Sequence, residues 1–422
     1  MLEKALQIFK VKEIRKKIFF VLLMLVIFRL MANIPIPGID VQQLKTLFEG
    51  NQFLGMLNLF SGGGLKNVSI VMLGVGPYIT ASIIMQLMTM VFPRLEQIYK
   101  EEGEAGRQKF NSWTRWLTVP LAVMQTFAMV ALFKSQGIFI ELTIFNYVLV
   151  IVTATAGTIF LMWLGELITE KGLGNGVSLI IFAGIVSGLP TAIKQLMVTW
   201  DSTMVLTYLG FAAIAIFTIA AVVFITEGQR NIPISFAKRM RGGAQKGGKS
   251  FLPLRVNQAG VIPIIFAMSI MLFPGMIGNF LAGSSNATVA RMAESIVNIF
   301  ANQFFYGLAY FILVVLFTFF YTAVTFDPKN VSENLQRQGS FIPGIRPGTP
   351  TMEYLNKIVN RITLAGALFL GLVAVLPFIV QGITHIQTLT IGGTGILITV
   401  SVVVETMKQV EAQLVMRDYD KF

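Results

Sequence analysis

Residues 59–93 read LFSGGGLKNVSIVMLGVGPYITASIIMQLMTMVFP, and no residue from 68 to 92 is charged. That length is enough for a helix to cross a bilayer. However, the stretch follows three glycines and is interrupted by Gly-Val-Gly-Pro at residues 74–77, which favours a break in the helix. We therefore predict a short helical stub over residues 65–73, hinged to a full helix over residues 77–92. Broken backbone is tolerated within a membrane only where protein or water surrounds it, so we expect the stub inside the molecule.

The composition of the whole chain is typical of a membrane protein. Of 422 residues, 55% are hydrophobic and only 13% are charged. The chain has no cysteine and a single histidine, His385, which excludes thiol catalysis, thiolate metal sites and the H-E-x-x-H zinc motif. We predict no catalytic residue, no cofactor and no metal site.

Ten apolar segments of about the length needed to cross a bilayer follow one another along the chain. The lysines and arginines divide unequally between alternate connections, 27 on one side and 5 on the other. This asymmetry predicts that both termini are cytoplasmic. The ten predicted spans are Ile18–Pro37, Val68–Phe92, Trp116–Phe133, Ile144–Ile168, Val177–Val198, Met204–Thr226, Val256–Leu281, Phe304–Phe326, Ile362–Val380 and Leu389–Met407.

The spans predict a division of the chain into two halves of five, residues 18–198 and 204–407, between a cytoplasmic amphipathic segment, 1–17, and a tail, 408–422. Span 2 ends Met-Val-Phe-Pro and span 7 ends Met-Leu-Phe-Pro, while spans 5 and 10 open Gly-Asn-Gly and Gly-Thr-Gly. With five spans per half, such a repeat implies halves of opposite topology, although short apolar strings also match by chance.

Three predicted cytoplasmic connections, residues 94–115, 229–255 and 327–361, are longer than a simple link needs. Their charge alone would be explained by membrane orientation and contact with lipid headgroups. Their length favours a docking surface for a large acidic or mixed partner. Residues 243–250 fit the phosphate-binding pattern G-x-x-x-x-G-K-S. Neither a strand before this motif nor a helix at its end is indicated, so we do not predict a nucleotide site.

The predicted spans contain almost no ionisable residue in their middle portions. Solute transporters and proton pumps usually place such groups there to hold ions or substrates. A multi-span solute transporter or ion channel is the alternative that this absence argues against, and the lack of a catalytic constellation argues against a membrane enzyme. An uncharged interior suits the passage of a chemically varied polymer.

Four blocks carry a family resemblance: LFSGGGLKNVSIVMLGVGPYITASIIMQL, GLGNGVSLIIFAGIVSGLP, LPLRVNQAGVIPIIFAMSI and FIPGIRPG. They closely resemble the bacterial branch of the SecY family of protein-translocation channels, in order and over essentially the whole chain. The resemblance implies an all-α polytopic membrane protein with ten transmembrane helices, in two inverted halves around a central hourglass pore. It implies a passive channel in the bacterial plasma membrane that moves unfolded secretory polypeptides and releases apolar segments sideways into lipid.

The resemblance also implies site residues. A plug would close the external side of the pore, whereas a plain external loop is the simpler interpretation of the same stretch. An aliphatic ring would form the constriction, although any one of its members could be ordinary packing. The plug positions are Phe60, Ser61, Gly62, Gly63, Gly64, Leu65, Lys66, Asn67, Val68, Ser69, Ile70, Val71, Met72 and Leu73; the ring positions are Val75, Ile79, Val177, Ile181, Ile265 and Ile398.

By the same resemblance, the channel opens laterally between spans 2–3 and 7–8, and Thr80, Gln125 and Asn257 match polar gate positions. Such residues could equally be static contacts between helices. Arg239, Arg241 and Arg346 are the matching positions for docking of the SecA motor ATPase or of the ribosome through its RNA. SecE and SecG would be companion subunits, and preproteins with their signal sequences and the lipid bilayer would be the other partners.

Overall fold

The computed structural model describes residues 11–36, 61, 63–65, 67–135, 137, 143–198, 205–236, 250–282, 287–384 and 390–419. Several predicted positions lie outside these residues. They are Phe60, Gly62 and Lys66 of the plug, the docking residues Arg239 and Arg241, the phosphate-binding pattern up to Lys249, and His385.

Helices dominate the described chain, and each of the ten predicted spans overlaps one of them. In chain order the helices are α1 (Lys12–Ala32), α2 (Gly76–Val91), α3 (Pro93–Lys100), α4 (Gly103–Ser135), α5 (Ile144–Lys171), α6 (Gly176–Val198), α7 (Val205–Glu227), α8 (Ile262–Ala282), α9 (Ala287–Ala301), α10 (Gln303–Thr325), α11 (Pro328–Arg337), α12 (Thr349–Thr384) and α13 (Thr390–Tyr419).

Five of the described helices, α4, α5, α7, α10 and α12, are long and apolar enough to cross a membrane by themselves. Helix α2 bends by 110° into α3, and α6 and α8 contain shorter apolar stretches. Short or broken spans are possible where surrounding helices shield them from lipid. The architecture is that of an all-α polytopic membrane protein, as predicted.

The predicted break within span 2 is confirmed, but the predicted stub is not helical. Helix α2 begins at Gly76, with Pro77 in its first turn, where the missing backbone donor costs nothing. The described residues from Ser61 to Val75 instead form successive turns. Gly63 and Gly74 adopt positive φ there, and that left-handed conformation ends a right-handed helix before it can grow. We call these residues, 61–75, the turn segment.

A small antiparallel sheet stands beside the helices, and the sequence analysis did not predict it. Strands β1 (Gln229–Phe236), β2 (Ser250–Arg255) and β3 (Ser340–Phe341) pair in the order β2-β1-β3. Its core packs Ile232 and Leu254 against Ile342 and against Leu355 of α12. The sheet therefore joins two of the three long charged connections into one folded unit.

The main hydrophobic cluster lies where α2, α5, α6, α8, α10, α12 and α13 meet. A second, smaller cluster packs the turn segment against the ends of α4 and α5. Among the described residues no Asp, Glu, Lys or Arg side chain is buried; the buried polar side chains are Ser, Thr, Asn and Gln. The interior is thus uncharged, as the sequence indicated.

Candidate functional site

The structure places the predicted ring positions in or against one large hydrophobic cluster. Five of the six are buried members of the main cluster, and the sixth, Val177, is half-buried and packs against it. They belong to four helices, α2, α6, α8 and α13, except that Val75 lies immediately before α2. The buried five are Val75, Ile79, Ile181, Ile265 and Ile398.

Helical geometry explains how pairs of ring positions share a face. Val75 immediately precedes α2, and its carbonyl accepts a 3.0 Å hydrogen bond from the Ile79 amide, so the two residues are one helical turn apart. A glycine lets α6 and α13 approach closely: a Cβ placed on Gly395 would lie 2.9 Å from Cγ2 of Ile185. Ile181 and Ile398 each lie one turn along from that contact, on the same face as the residues that make it.

Val177 differs from the other ring positions in its neighbours. Its Cγ2 lies 3.1 Å from the position that a Cβ on Gly165 of α5 would occupy. Its side chain therefore contacts α5, at the edge of the cluster, while Ile181 one turn later is fully buried.

The turn segment is packed on several sides. Leu65, Val68 and Met72 are almost completely buried against Met129 and Phe133 of α4. Within the segment, the amides of Leu65, Ser69, Met72 and Gly74 donate to Ser61 Oγ, Gly64 O, Ser69 O and Val71 O, each at 2.9 Å. Turn hydrogen bonds thus satisfy backbone groups that have no water to bind.

The residues that follow α1 hold the turn segment through backbone hydrogen bonds. The Ile36 amide donates to Val68 O at 3.0 Å, and the Ile70 amide donates to Ile34 O at 3.1 Å, which makes a single antiparallel bridge. The Asn67 side chain reaches Asn33 Oδ1 at 3.4 Å. The segment is therefore attached to the residues that follow the first span, as well as packed on α4 and α5.

Helix α5 touches the turn segment through a glycine. A Cβ on Gly157 would overlap the carbonyl oxygen of Ile70 and would lie 3.2 Å from Cγ1 of Val71. Only glycine allows the two backbones to come this close. A larger residue at 157 would push the segment away from α5.

Val68 carries backbone strain. Its φ is +39°, and it is the one residue other than glycine with positive φ in the described chain. This conformation costs a residue with a Cβ roughly 1–2 kcal/mol, and a β-branched residue is the least suited to it. The full burial of its side chain and the bond that its carbonyl accepts from Ile36 offset that cost.

Two of the three predicted gate residues are hydrogen-bonded to each other. Gln125 Nε2 of α4 donates to Thr80 Oγ1 of α2 at 3.4 Å, while Thr80 itself donates to Gly76 O. Asn257, before α8, donates to Gly260 O at 3.1 Å, and its Oδ1 is buried without a partner in the described structure. Helix α8 contacts both α2 and α4, so a continuous seam runs between these helices.

Arg346 lies in a well-supported loop between β3 and α12. Its side chain is exposed, while its carbonyl accepts a 2.8 Å hydrogen bond from Thr351 Oγ1. Ser332 Oγ of α11 donates to Gly348 O at 2.8 Å, and the nearby Ile342 is buried in the sheet core. The loop is thus fixed by its neighbours and presents the guanidinium group outward.

The residues that position the turn segment were not among the predicted site residues. The predicted span 1 includes Asn33, Ile34 and Ile36, although α1 ends at Ala32. The Pro-Ile-Pro motif at residues 35–37 was a signal for extended backbone there. Gly157 gave no local signal, because its role depends on a segment about ninety residues earlier in the chain.

Comparison with known proteins gives the family. The family model described as SecY matches residues 69–407. The protein translocase subunit SecY of Streptomyces galbus is 42% identical, and the alignment covers 100% of both chains. The protein of the same name from Halalkalibacterium halodurans is 43% identical over 98% of each chain.

Solved structures show the same fold at lower identity. A protein-conducting channel aligns with a TM-score of 0.64 and 20% identity, covering 94% of this chain and 91% of the other. A SecY protein whose plug domain is reported to stabilise the closed state aligns with a TM-score of 0.65 and 21% identity, over 96% and 94%. Sec61 in a canine ribosome–channel complex aligns with a TM-score of 0.61 and 21% identity, over the same shares.

The strain at Val68 predicts an unusual order of stability between two variants. Val68→Ala and Val68→Gly both lose the buried isopropyl group, but only glycine also relieves the backbone strain. Against the usual preference for alanine, we expect Val68→Gly to protect the amides of residues 65–74 from hydrogen exchange more than Val68→Ala does, by about 1 kcal/mol.

The matched control is Val71, which is equally buried but has no positive φ. There Val71→Ala is expected to protect the same amides better than Val71→Gly. The same order at both positions, with alanine ahead, would contradict strain at Val68.

Proposed function

The chain belongs to the SecY family, and from this we propose that it is the pore-forming subunit of a protein translocase in the bacterial plasma membrane, through which unfolded polypeptides cross. The family model spans most of the chain, and translocase subunits align with it over their full length. The channel is not an enzyme; a partner motor, translation or the membrane potential supplies the energy.

One observation carries this proposal: the ring positions from several helices share a single uncharged cluster beside the turn segment. A ring of branched aliphatic side chains excludes ions because a narrow apolar constriction loses its water. The same ring offers a passing polypeptide no charge to bind tightly. It can therefore close around a moving chain and still resist ion leak.

We assign the turn segment as the plug. This assignment is supported by the packing of Leu65, Val68 and Met72 on α4 and by two backbone hydrogen bonds to the residues that follow α1. These contacts are apolar packing and single hydrogen bonds, and the strain at Val68 opposes them. The segment is therefore held firmly enough to close the resting channel and weakly enough to leave when a polypeptide enters.

A solute transporter or ion channel is less well supported. Such a protein would hold its substrate with charged or strongly polar groups at mid-membrane. The buried polar side chains of the described residues are Ser, Thr, Asn and Gln, many of them bonded to their own helix, such as Thr126 to Ala122 O.

We propose that the seam between the pair α2 and α4 and the pair α8 and α10 is the lateral gate. Thr80 and Gln125 lie on the first pair, and their bond is at the long end of the accepted range. Asn257, before α8, has an unsatisfied carbonyl oxygen, which a polar group of an entering signal sequence could satisfy. Hydrogen bonds of this kind in membranes are worth only about 0.6–2 kcal/mol.

We propose that the charged side of the molecule is cytoplasmic, as are both termini, and that it docks the ribosome and the SecA motor. Two of the structural neighbours are channels in ribosome complexes. The exposed guanidinium group of Arg346 on its fixed loop, with Arg239 and Arg241 of the preceding connection, suits phosphate or carboxylate groups. SecE and SecG are the expected companion subunits.

Photocrosslinking tests the function directly. With a crosslinking residue at Ile79, Ile181 or Ile398, a secretory polypeptide stalled in transit is expected to crosslink to the channel. The control position is Ile216 of α7, which is 68% exposed on the membrane-facing surface. Crosslinks at Ile216 but not at the ring positions would mean that the polypeptide travels beside the molecule and would refute the proposal.

Ile398→Asn is expected to increase ion conductance several-fold and to admit polypeptides with defective signal sequences, because an amide brings water into the constriction. Conductance of the reconstituted channel and transport of such a polypeptide measure the two effects. Ile398→Leu conserves volume and polarity and is expected to leave both unchanged. Equal behaviour of the asparagine and leucine variants would remove Ile398 from the ring.

Arg346→Glu is expected to weaken motor-driven transport strongly while leaving the membrane part folded, because it reverses the charge that faces the partner. Affinity for the motor and preprotein transport in vesicles are the measurements. The control is Lys357→Glu, an equal charge change at an exposed position of α12. If both variants lose transport equally, the effect belongs to net charge and not to the Arg346 loop.

A further inference from the structure

Helix α9 lies between α8 and α10, at the end of these helices away from the sheet, and the channel function assigns it no role. It lies between the predicted spans 7 and 8. It forms a four-turn helix that packs on α8 and also contacts α10.

The side chains of α9 divide into three sectors, as the 100° step between helical residues predicts. One sector packs on α8: Ala293 is buried, and Cγ2 of Val297 lies 2.7 Å from where a Cβ on Gly278 would be. A second sector is polar and exposed and contains Arg291, Ser295 and Asn298.

The third sector is apolar and exposed. Met292, Ile296 and Ile299 are spaced by four and three residues, which places them on one face. They are 66%, 37% and 52% exposed. This face lies between the buried sector and the polar sector. The helix therefore has one side toward protein, one toward water and one apolar side without a partner in the described structure.

The apolar face is followed directly along the chain by exposed apolar residues of a helix long enough to cross a membrane. One residue, the capping Asn302, separates α9 from α10, and the first turns of α10 expose Phe304, Phe305 and Leu308. These side chains belong to a helix that crosses the membrane by length and composition. Aromatic residues at the start of a span are typical of the membrane interface.

We propose that α9 is an interfacial helix, with Met292, Ile296 and Ile299 inserted into the acyl region of the leaflet opposite the sheet. A helix of this kind lies with its apolar face at the headgroup boundary and its polar face in water. The occupant of the exposed face is lipid because the surface that adjoins it is already lipid-facing. The proposal needs only that the chain spans a membrane, and it is independent of what the channel transports.

The absence of cysteine from the chain allows a direct test. Ile299→Cys and Asn298→Cys, each carrying a nitroxide spin label, are compared in the full-length protein with its co-purified subunits in lipid nanodiscs. The two positions are adjacent along the helix but lie in different sectors. Collisions of the label with oxygen, which concentrates in lipid, and with a water-soluble nickel complex report its surroundings.

We expect the label at 299 to collide mainly with oxygen and the label at 298 mainly with the nickel complex. A label at 299 that is as accessible to nickel as the label at 298 would place the helix in water. A label at 299 shielded from both reagents would place protein, another subunit or a second copy, on the face. Either result overturns the proposal.

A second pair guards against a variant that misfolds. Met292→Cys lies in the apolar sector two turns before position 299, and Ser295→Cys lies in the polar sector one turn before position 298; both side chains are exposed. The 292 label is expected to behave as the 299 label does, and the 295 label as the 298 label does. Disagreement between the pairs would also overturn an interfacial position for the whole helix.

Discussion

The need to satisfy backbone polar groups away from water governs this structure. A segment of turns at membrane depth exposes amides and carbonyls that lipid cannot bind. The turn segment meets this need with its own turn hydrogen bonds and with the bridge to Ile34 and Ile36. It also needs surrounding protein, which the ends of α4 and α5 and, at Val71, the main cluster supply. A broken span can thus exist only because the other helices surround it, and their arrangement leaves an enclosed apolar centre.

That centre combines two properties that are usually opposed. Close packing at Gly157 and Gly395 brings neighbouring segments together more tightly than larger residues would allow. Yet the forces across the centre are mainly dispersion and the hydrophobic effect, which have no fixed direction. Branched aliphatic side chains can therefore separate and close again without breaking any charged pair. Two ion pairs that cross between helices, Arg115 with Glu166 and Lys408 with Glu227, are partly exposed.

The sequence predicted the class of protein and the positions of the spans, because long apolar runs and charge asymmetry are local signals. The break before α2 was also local, carried by glycine and Pro77. The form of the turn segment was not predicted, because residues 65–73 have the apolar content of a helix. The positive φ of Gly63 and Gly74 and the contacts with α4 and with the residues after α1 favour turns there instead. The sheet was not predicted because Pro233 and Pro253 lie within its strands, where proline is unusual, and because β3 lies about a hundred residues later in the chain. Helix α9 was not predicted, although the spacing of Met292, Ile296 and Ile299 by four and three residues is typical of a helix.

The corner between α2 and α3 has a mechanical consequence. Helix α3 folds back on α4, where the rings of Tyr99 and Phe110 lie 4.8 Å apart and a Cβ on Gly106 would overlap Ile98 O. Helices α2 and α4 are therefore held together at this end by α3, and we expect them to tilt together. Because α2 is about 24 Å long, a rotation of about 5° at the corner displaces its far end by about 2 Å. A displacement of α3 would thus be transmitted along α2 to the end of the helix that follows Val75.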